Sequence, residues 1–231
     1  MQTNNSNSSS RRDFLGKLAV GTAALGTVSF APFQATAAPE LPVHEFADAE
    51  EWFNKIKGKH RIVFDATQPH EMMPFAWPKV FLLTNAATGT PEKDCSVVVV
   101  LRHDAVGYAL QDELWAKYKL GELFKANDPL TKAPATRNPF WKPKEGDFKI
   151  PGIGNVAIGI NELQSNGVMF CACMMAITVY SAVAADMMKM DHETVKKEWM
   201  AGLLPNIQAV PSGVWALGRA QEHGCTYCFA G

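Results

Sequence analysis

Short apolar runs alternate along the chain with segments that are apolar on one side only. Arg61-Ile62-Val63-Phe64-Asp65 follows a break at Gly58 and reads as a strand. Phe75–Ala87 reads as a helix with Pro78 in its first turn. Cys95–Leu101, CSVVVVL, is β-branched and continuously apolar, the pattern of a central parallel strand buried on both faces. Gly107–Phe124 sets Tyr108, Leu110, Leu114, Tyr118 and Leu123 among Asp112, Glu113, Lys117 and Glu122, which predicts an amphipathic helix. A further helix is expected over Val156–Leu163, closed by Asn166-Gly167, and a third strand over Val168–Cys171. Helices at Ala176–Met188 and His192–Leu203, a strand at Ile207–Val210 and a last helix at Val214–His223 complete the series. Strands separated by helices imply an α/β single domain, with a mainly parallel sheet flanked by helices on both faces.

Two stretches depart from this rhythm. Residues 126–151 hold Pro129, Pro134, Pro139, Pro143 and Pro151 with the aromatic pair Phe140-Trp141, so an ordered surface loop or lid is expected. Gly167–Ala185 carries no charge over 19 residues, long enough for a membrane span. The Asn166-Gly167 turn and the change of character near Ala176 favour a buried strand followed by a helix instead.

Composition narrows the class. Of 231 residues, 47% are hydrophobic and 19% charged, enough to build a full core. The first residues are polar, and Arg11-Arg12 then precedes a weakly apolar run that ends at Ala35-Thr36-Ala37. This resembles a twin-arginine export signal with an A-x-A cleavage site, removed near residue 37. It implies passage through the twin-arginine machinery to the periplasm, no membrane span after cleavage, and a short lead-in over residues 38–57. Lys and Arg number 22 against 23 Asp and Glu; loss of Arg11, Arg12, Lys17 and Asp13 leaves 19 against 22. That balance gives no electrostatic footprint for nucleic acid.

Five cysteines survive cleavage, an odd number, so at least one has no partner within the chain. Cys173 lies where a strand gives way to a helix, a position whose free N–H groups favour a thiolate. Strand carboxyl ends are also where open α/β sheets bind ligands. His103 follows the CSVVVVL strand at the same end and is a candidate proton carrier. Cys171, two residues back, is a second thiol or core filler, and Cys95 opens its strand as core. Cys225 and Cys228 form a C-x-x-C that can close a disulfide, act as a redox pair or hold a metal. The last helix should return the tail to the amino ends of the strands, away from Cys173, unless a short extra strand or a neighbouring subunit carries it back. Met169, Met174, Met175, Met187, Met188 and Met190 suit either adaptable core packing or a soft ligand set for copper. His70-Glu71-Met72-Met73-Pro74 lacks the second histidine of a zincin helix. Gly152-Ile153-Gly154-Asn155-Val156-Ala157 fits a dinucleotide fingerprint only in its letters, because Pro151 and a very short apolar run precede it.

Three segments together resemble the DsrE-like family of small α/β proteins (the DsrE, DsrF and YchN-like type). They are Val97–Val106, Gly167-Val168-Met169-Phe170-Cys171-Ala172-Cys173, and Leu203–Val214 with Pro211-Ser212-Gly213-Val214, followed by Arg219, Gln221 and Gly224. The resemblance spans about Lys59–Gly224 apart from the proline-rich insertion at 126–151. It implies a compact parallel sheet, a homo-oligomer and, in some members, a strand-end cysteine that carries persulfide sulfur, here matched by Cys173. Three functions stay open: sulfur relay or thiol redox handling through Cys173, soft-metal (copper or zinc) binding through Cys and Met, and a non-catalytic interaction protein. No cofactor is specified by these patterns.

Overall fold

The CSVVVVL segment is the middle strand of a five-stranded sheet. The computed structural model describes residues 46–231. In chain order it contains α1 (Ala47–Trp52), β1 (His60–Ala66), α2 (Met73–Ala87), β2 (Cys95–Leu101), α3 (Asp112–Tyr118) and α4 (Leu120–Leu123). These are followed by α5 (Ile160–Ser165), β3 (Met169–Cys173), α6 (Met174–Met188), α7 (His192–Ala201), β4 (Ile207–Val210), α8 (Gly213–Glu222) and β5 (Thr226–Phe229). The strand order is β4-β3-β2-β1-β5 and every pairing is parallel. A separate antiparallel hairpin joins Lys149–Ile150 to Gly154–Asn155.

Alternation along the strands divides the interior into two cores. Val97, Val99 and Leu101 of β2 share the first face with Phe64, Phe170 and Ala172; α2, α3, α5, α6 and α7 cover it with Phe75, Trp115, Leu163, Ile177 and Trp199. Val98 and Val100 share the second face with Val63, Cys171 and Val210, covered by Trp52 and Phe53 beside α1 and by Ala216 and Ala220 of α8. From β1 to β4 the chain steps one strand at a time in one direction, with its crossovers on the first face. It then returns across the full width of the sheet through α8, on the second face, to place β5 outside β1.

The α/β architecture matches the pattern reading, and residues 167–185 divide into strand and helix as expected. Among the described residues no helix is long and apolar enough to cross a membrane. The expected export signal, its cleavage near residue 37 and residues 38–45 of the lead-in lie outside the described residues. Residues 46–57 are no mere lead-in, since Ala49, Trp52, Phe53 and Ile56 are buried in the second core.

Several boundaries differ for identifiable reasons. Pro78 lies inside α2, while Pro74 occupies the first turn; the N–H that Pro78 lacks is the one that would have met the Pro74 carbonyl. The helix expected over Gly107–Phe124 is a 3₁₀ segment at His103–Ala109, then α3 and α4 separated by Lys119 at φ 50°. The helix expected over Val156–Leu163 starts only at Ile160, where the Glu162 carboxylate accepts the Gly159 N–H at 2.8 Å. The strand β5 is the short extra strand that the sequence left open as an alternative for the tail. The proline-rich stretch is no lid either: Phe140 and Phe148 belong to the first core, and Phe140 stacks on Phe75 at 4.1 Å between ring centres. Asn138, wholly buried, donates to the carbonyls of Tyr108 and Leu110 at 2.8 and 2.9 Å.

Candidate functional site

The return through α8 creates one topological switch point in the sheet. Cys173 and Val210 end the adjacent strands β3 and β4, but α6 leaves over the first face and α8 under the second. The diverging helices cannot roof the gap between those strand ends, and open α/β sheets bind ligands at such a gap. A crevice of about 300 Å³ opens there, lined by Arg102, His103, Cys173, Tyr180, Ser212 and Gly213. Met175, Val179 and Val214 surround it with exposed apolar surface.

Cys173 is both the last residue of β3 and the N-cap of α6, its Sγ accepting the Ala176 N–H at 3.4 Å. It is only 6% exposed. Ser212 caps α8 in the same way, its Oγ accepting the Trp215 N–H at 3.1 Å, so its own O–H remains a donor. Two capped helix N-termini therefore meet one crevice.

Arg102, just beyond β2, is the site's permanent cation. Its Nε and Nη2 donate to Asp65 Oδ1 and Oδ2 at 2.6 and 2.9 Å, the bidentate fork a carboxylate accepts best. Asp65 is 1% exposed and also accepts the Tyr227 hydroxyl at 2.9 Å from β5. The hydrogen bonds to Asp65 hold the Arg102 guanidinium protonated above its ordinary range, with a smaller contribution from the Cys173 thiol. Gly213 makes room for it, because a Cβ there would lie 2.6 Å from Arg102 Cβ.

His103 sits at φ 50°, with Nδ1 3.1 Å from Asp104 Oδ1 and its ring edge-on to Tyr180. The Tyr180 hydroxyl donates to Asp104 and lies 3.5 Å from His103 Nε2. Burial first, and then the bond to Asp104, push the Tyr180 phenol upward, which keeps it a donor.

The structure thus brings Cys173 and His103 to one crevice and leaves the other candidates elsewhere. Cys171 is wholly buried in the second core, and desolvation, followed by the nearby Cys173 thiol, pushes its own thiol up. Cys225 does start at the amino end of the sheet, and β5 carries the tail back up, but along the far edge. With β2 and β1 between β3 and β5, the strand spacing alone sets the tail at least about 14 Å from Cys173. Cys225 packs in the second core and Cys228 against the first, so the pair points to opposite faces and all five thiols are free. Burial pushes Cys225 up to about 11, opposed by Arg61. Met174-Met175 and Met187-Met188 occupy opposite ends of α6, about 20 Å apart. Among the described residues no group of three or more His, Cys, Asp or Glu is placed to hold a metal ion.

Asp65, Arg102, Tyr180 and Tyr227 are site residues that the sequence reading did not single out, while Ser212 and Gly213 entered it only as part of the resemblance and not as site residues. Asp65 and Arg102 each terminate or follow an apolar strand at its carboxyl end, and that shared position was the available signal. Tyr227 carried none, because the short tail strand was only an open alternative with no residues assigned to it.

No family model matches the chain, and no curated protein does. Among solved structures it is similar to a protein of unknown function, MTH1491 from Methanobacterium thermoautotrophicum. The two are 18% identical over 74% of this chain and 98% of that one, with a TM-score of 0.36.

Proposed function

We propose that Cys173 takes up and hands on sulfane sulfur, as in the sulfur-relay members of the DsrE-like family that the chain resembles. The observation that carries the reading is the position of Cys173. It is the capping thiol at the switch point of the sheet, on an open crevice beside a fixed guanidinium. In the forward step the Cys173 thiolate attacks the terminal sulfur of a persulfide, R–S–SH. The donor S–S bond breaks, R–S⁻ leaves with the bonding pair, and Cys173–S–SH forms. Sulfur moves at constant oxidation level overall, so no external oxidant is consumed. His103 is the group placed to give the departing thiolate its proton. The reading includes export to the periplasm and assembly into a homo-oligomer. Cys171 serves as core, and Cys225 and Cys228 lie too far away to assist within one subunit.

Incubation with inorganic polysulfide followed by intact-mass measurement tests it. One added sulfur that maps to Cys173, and disappears in Cys173→Ser, is the expected result. Sulfur loading that survives Cys173→Ser overturns the reading, and so does a native protein that takes up none.

A further inference from the structure

Asp65 and Arg102 form a carboxylate–guanidinium pair at the carboxyl ends of β1 and β2. The Asp65 carboxylate loses its water to make the pair, whereas the Arg102 side chain stays 27% exposed on the crevice side. The carboxylate is built into the end of β1, wholly enclosed and held from β5 by the Tyr227 hydroxyl. Its effect is directional. Asp65 takes Nε and Nη2, which fixes the plane of the guanidinium and leaves Nη1 without an acceptor among the described residues. Arg102 lines the crevice with Cys173, and Gly213 keeps the wall of α8 close against it. The donors of Ser212 and the two helix N-termini converge on the same space. The Asp104 carboxylate is engaged by Tyr180 and His103.

We infer that the crevice binds its sulfur compound through an acid group, an oxyanion held on the Nη1 edge of Arg102 while the compound's sulfur faces Cys173. Asp65 and Tyr227 are positioning residues for that guanidinium. The inference rests on the thiol reading of Cys173 and names its substrate class: small anionic sulfur compounds, in preference to neutral thiols. Arg102 selects here by charge and fixed geometry, which a lysine does not reproduce.

Two alkylating probes of nearly equal size test this. Iodoacetate carries the acid group and iodoacetamide does not. At low ionic strength, where screening is weak, the ratio of their rates at Cys173 in the full chain is compared with the ratio in urea-unfolded protein. A native ratio about threefold higher is expected, the effect of a directed guanidinium edge whose charge Asp65 partly offsets. Arg102→Gln should bring it down to the unfolded value. Because that variant strands the Asp65 carboxylate, the paired variant Asp65→Asn/Arg102→Gln, which removes both charges and keeps the shape, supplies a folded counterpart checked by circular dichroism. It too should lose the preference, and Tyr227→Phe should lower it in part. Acetate or sulfate added as competitor identifies the source of the acid group: protection by acetate points to a carboxylated thiol compound, protection by sulfate to an inorganic sulfur oxoanion. A native ratio equal to the unfolded one, or a preference untouched by the paired variant, overturns the inference while sulfur loading at Cys173 still stands. A Cys173 inert to both probes overturns the inference and the thiol reading together.

Discussion

Cys173 and Val210 are register partners on neighbouring strands, and the chain leaves them in opposite directions. Had both following helices packed on one face, their first turns would have closed over the strand ends. The divergence instead exposes the cap of each helix, a thiol on one and a hydroxyl on the other, to the same small volume. The chemistry proposed for the chain depends on this single change of face.

Thiol labelling should follow position rather than sequence proximity. With limiting N-ethylmaleimide near pH 8, Cys173 is expected to react ahead of Cys95 and Cys228. Cys171 and Cys225, whose thiols burial pushes up, should stay protected until the chain unfolds. Peptide mapping after brief exposure gives the order. First labelling at Cys171 would contradict the core placement of that residue.

Stability should decline on the alkaline side. Cys225 is pushed up to about 11 in the folded state, against 9.0 for the ordinary thiol. The unfolded chain therefore releases a proton in that interval which the folded chain retains. The stability from this group is complete below about pH 9 and is lost as the pH rises through about 11. Urea midpoints measured across that range should fall, and Cys225→Ala should make the fall shallower.

Two glycines of α8 should respond oppositely to alanine. At Gly213 the new Cβ meets Arg102 Cβ at 2.6 Å, so Gly213→Ala should cost about 1–3 kcal/mol and weaken the anion preference at Cys173. Around Gly218 nothing lies within 4 Å, so Gly218→Ala should stabilise by about 0.5–1 kcal/mol through helix propensity. Urea denaturation of the two variants decides; equal and opposite placement of these effects would refute the packing described for α8.

The proline-rich stretch should behave as core. Phe140→Ala removes a ring stacked on Phe75 and Phe148 and should cost about 3–5 kcal/mol. Asn138→Ala leaves the Tyr108 and Leu110 carbonyls without their donor and should cost about 1–3 kcal/mol. A shortened loop that lacks these residues and keeps full thermal stability would show that the stretch merely covers the surface.

What the sequence displayed and what it hid follow from the range of the forces involved. Val97–Val100 were legible as a strand because burial on both sides demands a continuous apolar run. Cys173 was legible because a strand-to-helix junction leaves a local mark. Arg102 was not, because its role depends on Asp65, 37 residues earlier, and on Tyr227 from the far edge of the sheet. The strand Thr226–Phe229 was hidden for a related reason. As an edge strand it exposes Tyr227 and Phe229, so no apolar alternation announces it. Within residues 126–151 the prolines signalled irregular backbone correctly but said nothing about where Phe140 and Phe148 would be buried.

The crossing of α8 beneath the sheet also orders events in time. A nascent chain extended only to Val210 has four strands, the helices of the first face and, on the second, only α1 with the adjoining Phe53. Val63, Val98, Val100 and Cys171 still lack the cover that Ala216 and Ala220 of α8 provide, and the outer edge of β1 is unpaired. Such an intermediate presents both features that promote aggregation, an apolar face and an open strand edge. Residues 213–229 remove both, and the same residues bring Gly213 against Arg102 and Tyr227 onto Asp65. The protein therefore has no stage at which it is folded but lacks its site: closing the core and assembling the crevice are the same late step.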